Sequence, residues 1–198
     1  MKEIRYDHQI IAGIIERGSK ILDLGCGTGE LLKYLVDTKN AQVQGIELDE
    51  EAIHQCVEKG LSVYHSDIDS GLKGYPDKAF DYVILNQSLQ QVKNIDYVID
   101  ESLRVGKNVI VGFPNFAYIA SRATLFFRGR VPITETLPYE WHNTPNLRFL
   151  SINNFEDFCK QRNIKIIDRQ YIGVPLLAEA LPNLFAESAI FLITNSVA

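Results

Sequence analysis

The sequence predicts an α/β fold: a doubly wound, mostly parallel sheet of seven strands, with helices on both faces and an antiparallel edge. Three observations predict it. Short apolar runs alternate with amphipathic helical stretches from residue 6 to residue 113. A glycine cluster, Asp23-Leu-Gly-Cys-Gly-Thr-Gly29, follows the first of these runs directly. Acidic or amide residues stand just after the next three runs. Strand–helix alternation calls for parallel strands joined by crossover helices. The right-handed crossover then places helices on both faces.

The elements follow in order. Ile10, Ile11, Ile14 and Ile15 recur at helical spacing and predict a helix over 6–16, with Gly18 as its stop. KILDL (20–24) is a strand, 30–36 a helix and 43–48 a strand. Asp49 caps a helix over 50–58, and 61–65 is a strand. FDYVIL (80–85) and NVIVGF (108–113) are nearly continuous apolar runs, as strands buried on both faces require. A helix over 95–104 joins them. FAYIASRATLFF (116–127) reads as a helix. Pro132, Pro138 and Pro145 make 129–150 an ordered surface excursion. Asn153 with Glu156 has the look of a variant capping box, opening a helix to about 161. The last strands are 164–172 and 189–194. Their connection is too short and irregular for a parallel crossover, so they form the antiparallel edge. The expected organisation is one domain over 1–198, with 116–150 as an inserted helix and a lid or partner loop.

Composition narrows the function. The 198 residues hold 20 Lys+Arg against 25 Asp+Glu, a net charge of −5, which repels a phosphate backbone and argues against nucleic acid as partner. Cys26, Cys56 and Cys159 are odd in number and form no CxxC, so neither a disulfide framework nor a zinc knuckle is expected, and no metal site is. No apolar run approaches the ~18 residues of a membrane helix. MKEIRYDHQII has no signal-peptide character, so the expected location is cytoplasmic.

Ligands of such sheets sit beyond the carboxyl ends of the strands. Gly25 and Gly27 allow a tight turn and a close approach of backbone to ligand. A dinucleotide loop needs a third glycine where this chain has Glu30. A carboxylate there, and Asp23 before the loop, repel a pyrophosphate. Asp23 suits an ammonium group instead. Glu47, with Leu48 beside it, ends the second strand, where a carboxylate accepts both ribose hydroxyls. After the third strand come Ser66, Asp67 and Ile68, with Asp67 an acceptor for an exocyclic amine and Ile68 an apolar face for adenine. Asn86 and Gln87 follow the fourth. Adenine, ribose and an amino-acid end without phosphates describe S-adenosylmethionine, or its product S-adenosylhomocysteine. The candidate cofactor residues are Asp23, Gly25, Cys26, Gly27, Gly29, Glu47, Leu48, Asp67, Ile68 and Asn86. Taken singly, each has a plainer reading: a tight turn for the glycines, a solvated charge for Glu47, a turn residue for Asp67. Four signals at successive strand ends favour the joint one. No catalytic residue stands out.

Residues 15–115 resemble the Rossmann-like class I S-adenosylmethionine-dependent methyltransferase fold. Many relatives carry a histidine pair where this chain has Gln90 and Gln91. LDLGCGTGELL, FDYVILNQSLQ, VGFPNFAYIASRATLFFRGRVP, LPYEWHNTPNLRFLSINNFEDFC and PNLFAESAIFL together resemble the methionine biosynthesis MetW family over nearly the whole chain. That resemblance implies a homoserine O-acyltransferase as partner, with this chain as its activating or regulatory subunit. The alternative is a free-standing methyltransferase acting on a small molecule.

Two features keep two readings each. Tyr139, Glu140, Trp141 and His142 form either a lid with Glu140 or His142 as base, or a loop pinned by its aromatics against the body. Arg104, Lys107, Arg122, Arg128 and Arg130, in a stretch without acidic residues, are either helix-end cations or a docking patch. Phe126 and Phe127 belong to that patch or to the core. His8, His54 and His65 read as packed or solvated side chains.

Overall fold

The computed structural model describes residues 4–196. The span expected as one domain includes 1–3 and 197–198, which lie outside the described residues. The strands are β1 (Lys20–Leu24), β2 (Gln42–Glu47), β3 (Val63–His65), β4 (Phe80–Asn86), β5 (Gly106–Pro114), β6 (Ile164–Gly173) and β7 (Ala186–Asn195). They form one sheet in the order β3-β2-β1-β4-β5-β7-β6. The first five run parallel, and β7 pairs antiparallel with both β5 and β6. The chain winds outward from β1 to β3, then returns to β4 on the other side of β1. That reversal is the switch point, where open sheets of this kind place their ligands.

Side chains alternate along the strands and build two cores. Leu22, Leu24, Val83, Leu85, Val109, Val111 and Phe113 face α4 (Ile95–Val105) and α6 (Ile152–Gln161). Ile21, Tyr82, Ile84 and Ile110 face α1 (Tyr6–Ile14) and α2 (Glu30–Lys39). The continuous apolar runs in β4 and β5 are therefore period-2 patterns with both phases filled. α3 (Glu50–Glu58) closes a smaller core of Cys26, Leu32, Cys56 and Leu61. Asp49 caps α3 as expected, its Oδ1 accepting from Ala52 N at 2.7 Å.

Several expectations need correction. The cap of α6 is Ser151 rather than Asn153, and Asn154 completes the box by bonding back to the Ser151 backbone. The helix expected over 116–127 begins at α5 (Ile119–Ala123) and ends in a π turn, Thr124–Arg128, capped by left-handed Gly129. Residues 116–118 are held out of it because the Asn115 side chain accepts from Ala117 N. The connection between the last strands holds two short helices, α7 (Leu177–Ala180) and α8 (Pro182–Phe185). The basic stretch is not one surface. Arg104, in the last turn of α4, is bonded to Glu101 and Asp77, and Lys107, at the start of β5, to Asp81. The strand's rise of ~3.3 Å per residue then carries the chain to the opposite ends of the strands before Arg122.

Candidate functional site

Register brings the predicted residues together at the carboxyl ends of neighbouring strands. Leu24 pairs with Ile46, Asp23 with Ile84, Glu47 with His65 and Asn86 with Gly112. The glycine loop, the end of β2, the turn after β3 and the end of β4 are thus neighbours at the switch point.

The loop is built for a close approach. Gly25 has φ +77°, and a Cβ there would lie 2.9 Å from Ser88 Cβ. Gly29 has φ +75° at the start of α2, where a Cβ would lie 2.5 Å from Leu61 Cδ1. Only glycine meets both demands, of conformation and of space. The loop carbonyls are anchored from α3 and its end: Cys56 Sγ donates to Gly27 O at 3.2 Å, and Lys59 Nζ donates to Thr28 O. Cys26 turns its side chain into the small core. Burial, and the carboxyl of Asp23 near it, push that thiol far above its usual range. It is no thiolate at neutral pH.

The carboxylates carry the electrostatics. Asp23 is 3% exposed. Burial first, and the nearby Glu47 second, lift its pKa from 3.8 to about 7. Glu47 accepts from Gly27 N at 2.7 Å through Oε2, and from Leu48 N at 2.7 Å and Asp49 N at 3.0 Å through Oε1. It is neither free nor merely solvated; it ties the end of β2 to the glycine loop. Leu48 stays exposed on the rim. Asp67 accepts from Asp69 N at 2.9 Å, capping a 3-10 turn over Ile68–Ser70. Its turn role is real, and Ile68 is part-buried against the core.

Around the named Asn86, Gln87 and Gln90, the end of β4 brings in Asp7 and Ser88, which the sequence pattern did not single out. Asn86 Nδ2 donates to Asp7 Oδ2 at 2.9 Å, so this side chain reaches toward α1. Burial alone would raise Asp7, but the bonds from Asn86 and Arg5 outweigh it and hold that carboxyl low. His8 is packed, and burial lowers its pKa, so it is neutral at pH 7. Gln87 adopts φ +61°, an unusual conformation for a residue with a side chain. Asn86 Oδ1 and Ser88 Oγ are buried with no hydrogen-bond partner among the described residues. Such atoms are costly unless something else satisfies them. Gln90 is buried as well, and its backbone carbonyl accepts from Leu147 N at 2.9 Å and Arg148 N at 3.0 Å. Ser88 and Gln90 lie in NQSLQQ, a polar stretch whose composition does not show which of its side chains turn inward.

The aromatic loop differs from the pinned reading. Trp141 is 75% exposed and Tyr139 47% exposed, so neither anchors the loop to the body. His142 Nδ1 lies 3.3 Å from Glu140, both on the surface.

The mixed seven-stranded order and the strand-end site define the class: this is a class I S-adenosylmethionine-dependent methyltransferase fold. Solved structures agree. An S-adenosylmethionine-dependent methyltransferase from Mesorhizobium loti aligns with a TM-score of 0.70 at 15% identity, covering 93% of this chain and 95% of its own. The [4+2]-cyclase SpnF aligns at 0.68 and 18% identity, covering 96% of this chain and 81% of its own. The chain belongs to the MetW family, whose description is methionine biosynthesis protein MetW and whose profile matches residues 5–193. A bifunctional methionine biosynthesis protein MetXA/MetW from Rhodopirellula baltica is 36% identical over 94% of this chain. The matched part is 32% of that relative, so this chain spans about a third of its length. No helix among the described residues is long and apolar enough to cross a membrane.

Proposed function

We propose that the strand-end site binds S-adenosylmethionine or S-adenosylhomocysteine, and that this chain is the activating and regulatory partner of a homoserine O-acyltransferase. The observation that carries the partnership is the Rhodopirellula baltica relative, whose name joins MetXA and MetW in one chain. Covalent joining makes an association intramolecular and raises its effective concentration.

The residues fit the cofactor by their chemistry. Asp23 offers a buried carboxyl for the ammonium group. Gly25, Cys26 and Gly27 offer backbone, and Gly29 starts α2 behind them. Glu47 takes the ribose hydroxyls, releasing the Gly27 N–H that it now holds. Asp67 and Ile68, with Leu48 on the rim, receive the adenine. Ser88 Oγ, beside Gly25 and without a hydrogen-bond partner among the described residues, is a polar atom available to the methionine end. The bound group would supply an activated methyl in its sulfonium form. In the regulatory reading its role is to report the level of the pathway's end product. For that, it must bind the partner-bound and free states unequally. The segment 116–150 is the partner loop in this reading.

A second reading, a free-standing methyltransferase, is favoured by the completeness of the strand-end set. Label transfer from methyl-tritiated cofactor into a metabolite extract tests it. Calorimetry with S-adenosylhomocysteine tests the site itself. Native protein is expected to bind, and Glu47→Ala to bind at least ~10-fold more weakly, having lost a charge-assisted acceptor. Absence of heat for both forms of the cofactor contradicts the site assignment.

A further inference from the structure

Half of the exposed large hydrophobic side chains among the described residues fall within residues 119–149, under a sixth of the chain. Phe126 and Phe127 are 83% and 80% exposed on the π turn, their rings edge to face at 4.9 Å. A surface groove of about 470 Å³ begins two residues later, lined by Gly129, Arg130, Val131, Ile133, Glu140 and Trp141. Water contact with so much aromatic surface is unfavourable, and patches of this kind on folded proteins mark partner sites.

The patch stands on a fixed base. Phe116 N donates to Leu150 O at 3.1 Å, closing the excursion at its root, and the Phe116 and Phe149 rings meet at 4.7 Å. Leu147 and Arg148 are tied to Gln90 after β4. A surface held in place loses little entropy on binding. The charge is also distinctive. Residues 119–149 contain Arg122, Arg128, Arg130 and Arg148 against Glu135 and Glu140, on a chain whose net charge is −5. Among the described residues, neither Arg128 nor Arg130 is in an ion pair. Exposed aromatics with an arginine rim are what interface hot spots are made of.

We infer that Phe126, Phe127 and Trp141, rimmed by Arg128 and Arg130, form the surface that docks the homoserine O-acyltransferase. The partner's matching face is apolar at its centre and acidic at its rim. This deepens the partnership reading above and rests on it. The match to the Rhodopirellula baltica relative covers 94% of this chain, patch included, and leaves the larger part of that relative for its MetXA segment. The arginines steer the encounter and the aromatics hold the complex.

The test uses the full chain and the acyltransferase from the same source, with association followed by sedimentation velocity. Phe126→Asp with Phe127→Asp is expected to weaken association at least tenfold. Arg128→Glu with Arg130→Glu is expected to weaken it and to flatten its salt dependence. Val57→Asp, at an exposed position on α3 outside the patch, is expected to leave it unchanged. Melting temperature and S-adenosylhomocysteine affinity serve as fold controls and should match the native chain in every variant. Native association with unweakened phenylalanine variants overturns the surface and leaves the partnership standing. No association of the native chain overturns both. A self-dimer of the native chain that the phenylalanine variants abolish, with acyltransferase binding intact, assigns the patch to a second copy and also overturns the proposal.

Discussion

Asp23 and Glu47 place two carboxyls on neighbouring strand ends, and burial makes one of them hold its proton to about pH 7. Between its ordinary 3.8 and that value, the native state binds a proton that the unfolded chain has released. This group's contribution to stability is therefore greatest at low pH and is lost as pH rises through 7. Asp23→Asn stays neutral, so its urea midpoint should exceed the native one above pH 7, and the gap should close toward pH 4. A gap independent of pH contradicts the assignment. Gly25→Ala tests the loop. The left-handed backbone and the 2.9 Å approach to Ser88 should together cost about 2 kcal/mol in urea unfolding. Glu47 and Asp67 were legible because a carboxylate at a strand end is a positional signal. The turn role of Asp67 was among its readings, but the bonds of Glu47 were not legible, since a carboxylate satisfied by backbone N–H groups looks the same in sequence as one waiting for a ligand. Ser88 was illegible for a different reason: its place beside Gly25 depends on the register of β4 against β1.

Elements after β5 depend on side-chain hubs that periodicity does not reveal. Asn115 is 1% exposed. Its Nδ2 donates to Ala186 O at 2.8 Å and Asn183 O at 3.3 Å, and its Oδ1 accepts from Ala117 N at 3.1 Å. One side chain thus joins the end of β5 to α8 and delays the start of α5. Asn115→Ala strands these buried groups and should cost about 2–3 kcal/mol in chemical unfolding. A loss below about 0.5 kcal/mol, the level of an ordinary surface change, contradicts the hub. The expected helix over 116–127 misplaced its start for this reason: the apolar spacing was helical, but a local side-chain bond competed with it. The same competition moved the α6 cap to Ser151, where a hydroxyl and an amide satisfy each other's backbone groups.

At the scale of the molecule, the strand order and the winding were readable because apolar runs and helical stretches alternate up to β5, broken only between β3 and β4, where a 3-10 turn stands in place of a helix. The antiparallel edge followed from a connection too short to cross over. The aromatic loop was open to two readings, because the sequence shows which side chains are large but not which side of a segment the body covers. One end of the sheet carries the glycine loop and the carboxylates, and beyond it stands the ordered excursion with its exposed aromatics. Gln90 links the two through the bonds that Leu147 and Arg148 make to it. The proposed ligand site and the proposed partner surface would thereby be joined through one element, as the regulatory reading requires. The central claim is that this chain activates an acyltransferase and answers to the cofactor. The most direct measurement is the acyl-transfer rate of the homoserine O-acyltransferase from the same source, with and without this chain, across a titration of S-adenosylmethionine. The account predicts a rate that rises when the chain is added and then shifts with the cofactor. An acyl-transfer rate indifferent to both additions would contradict it.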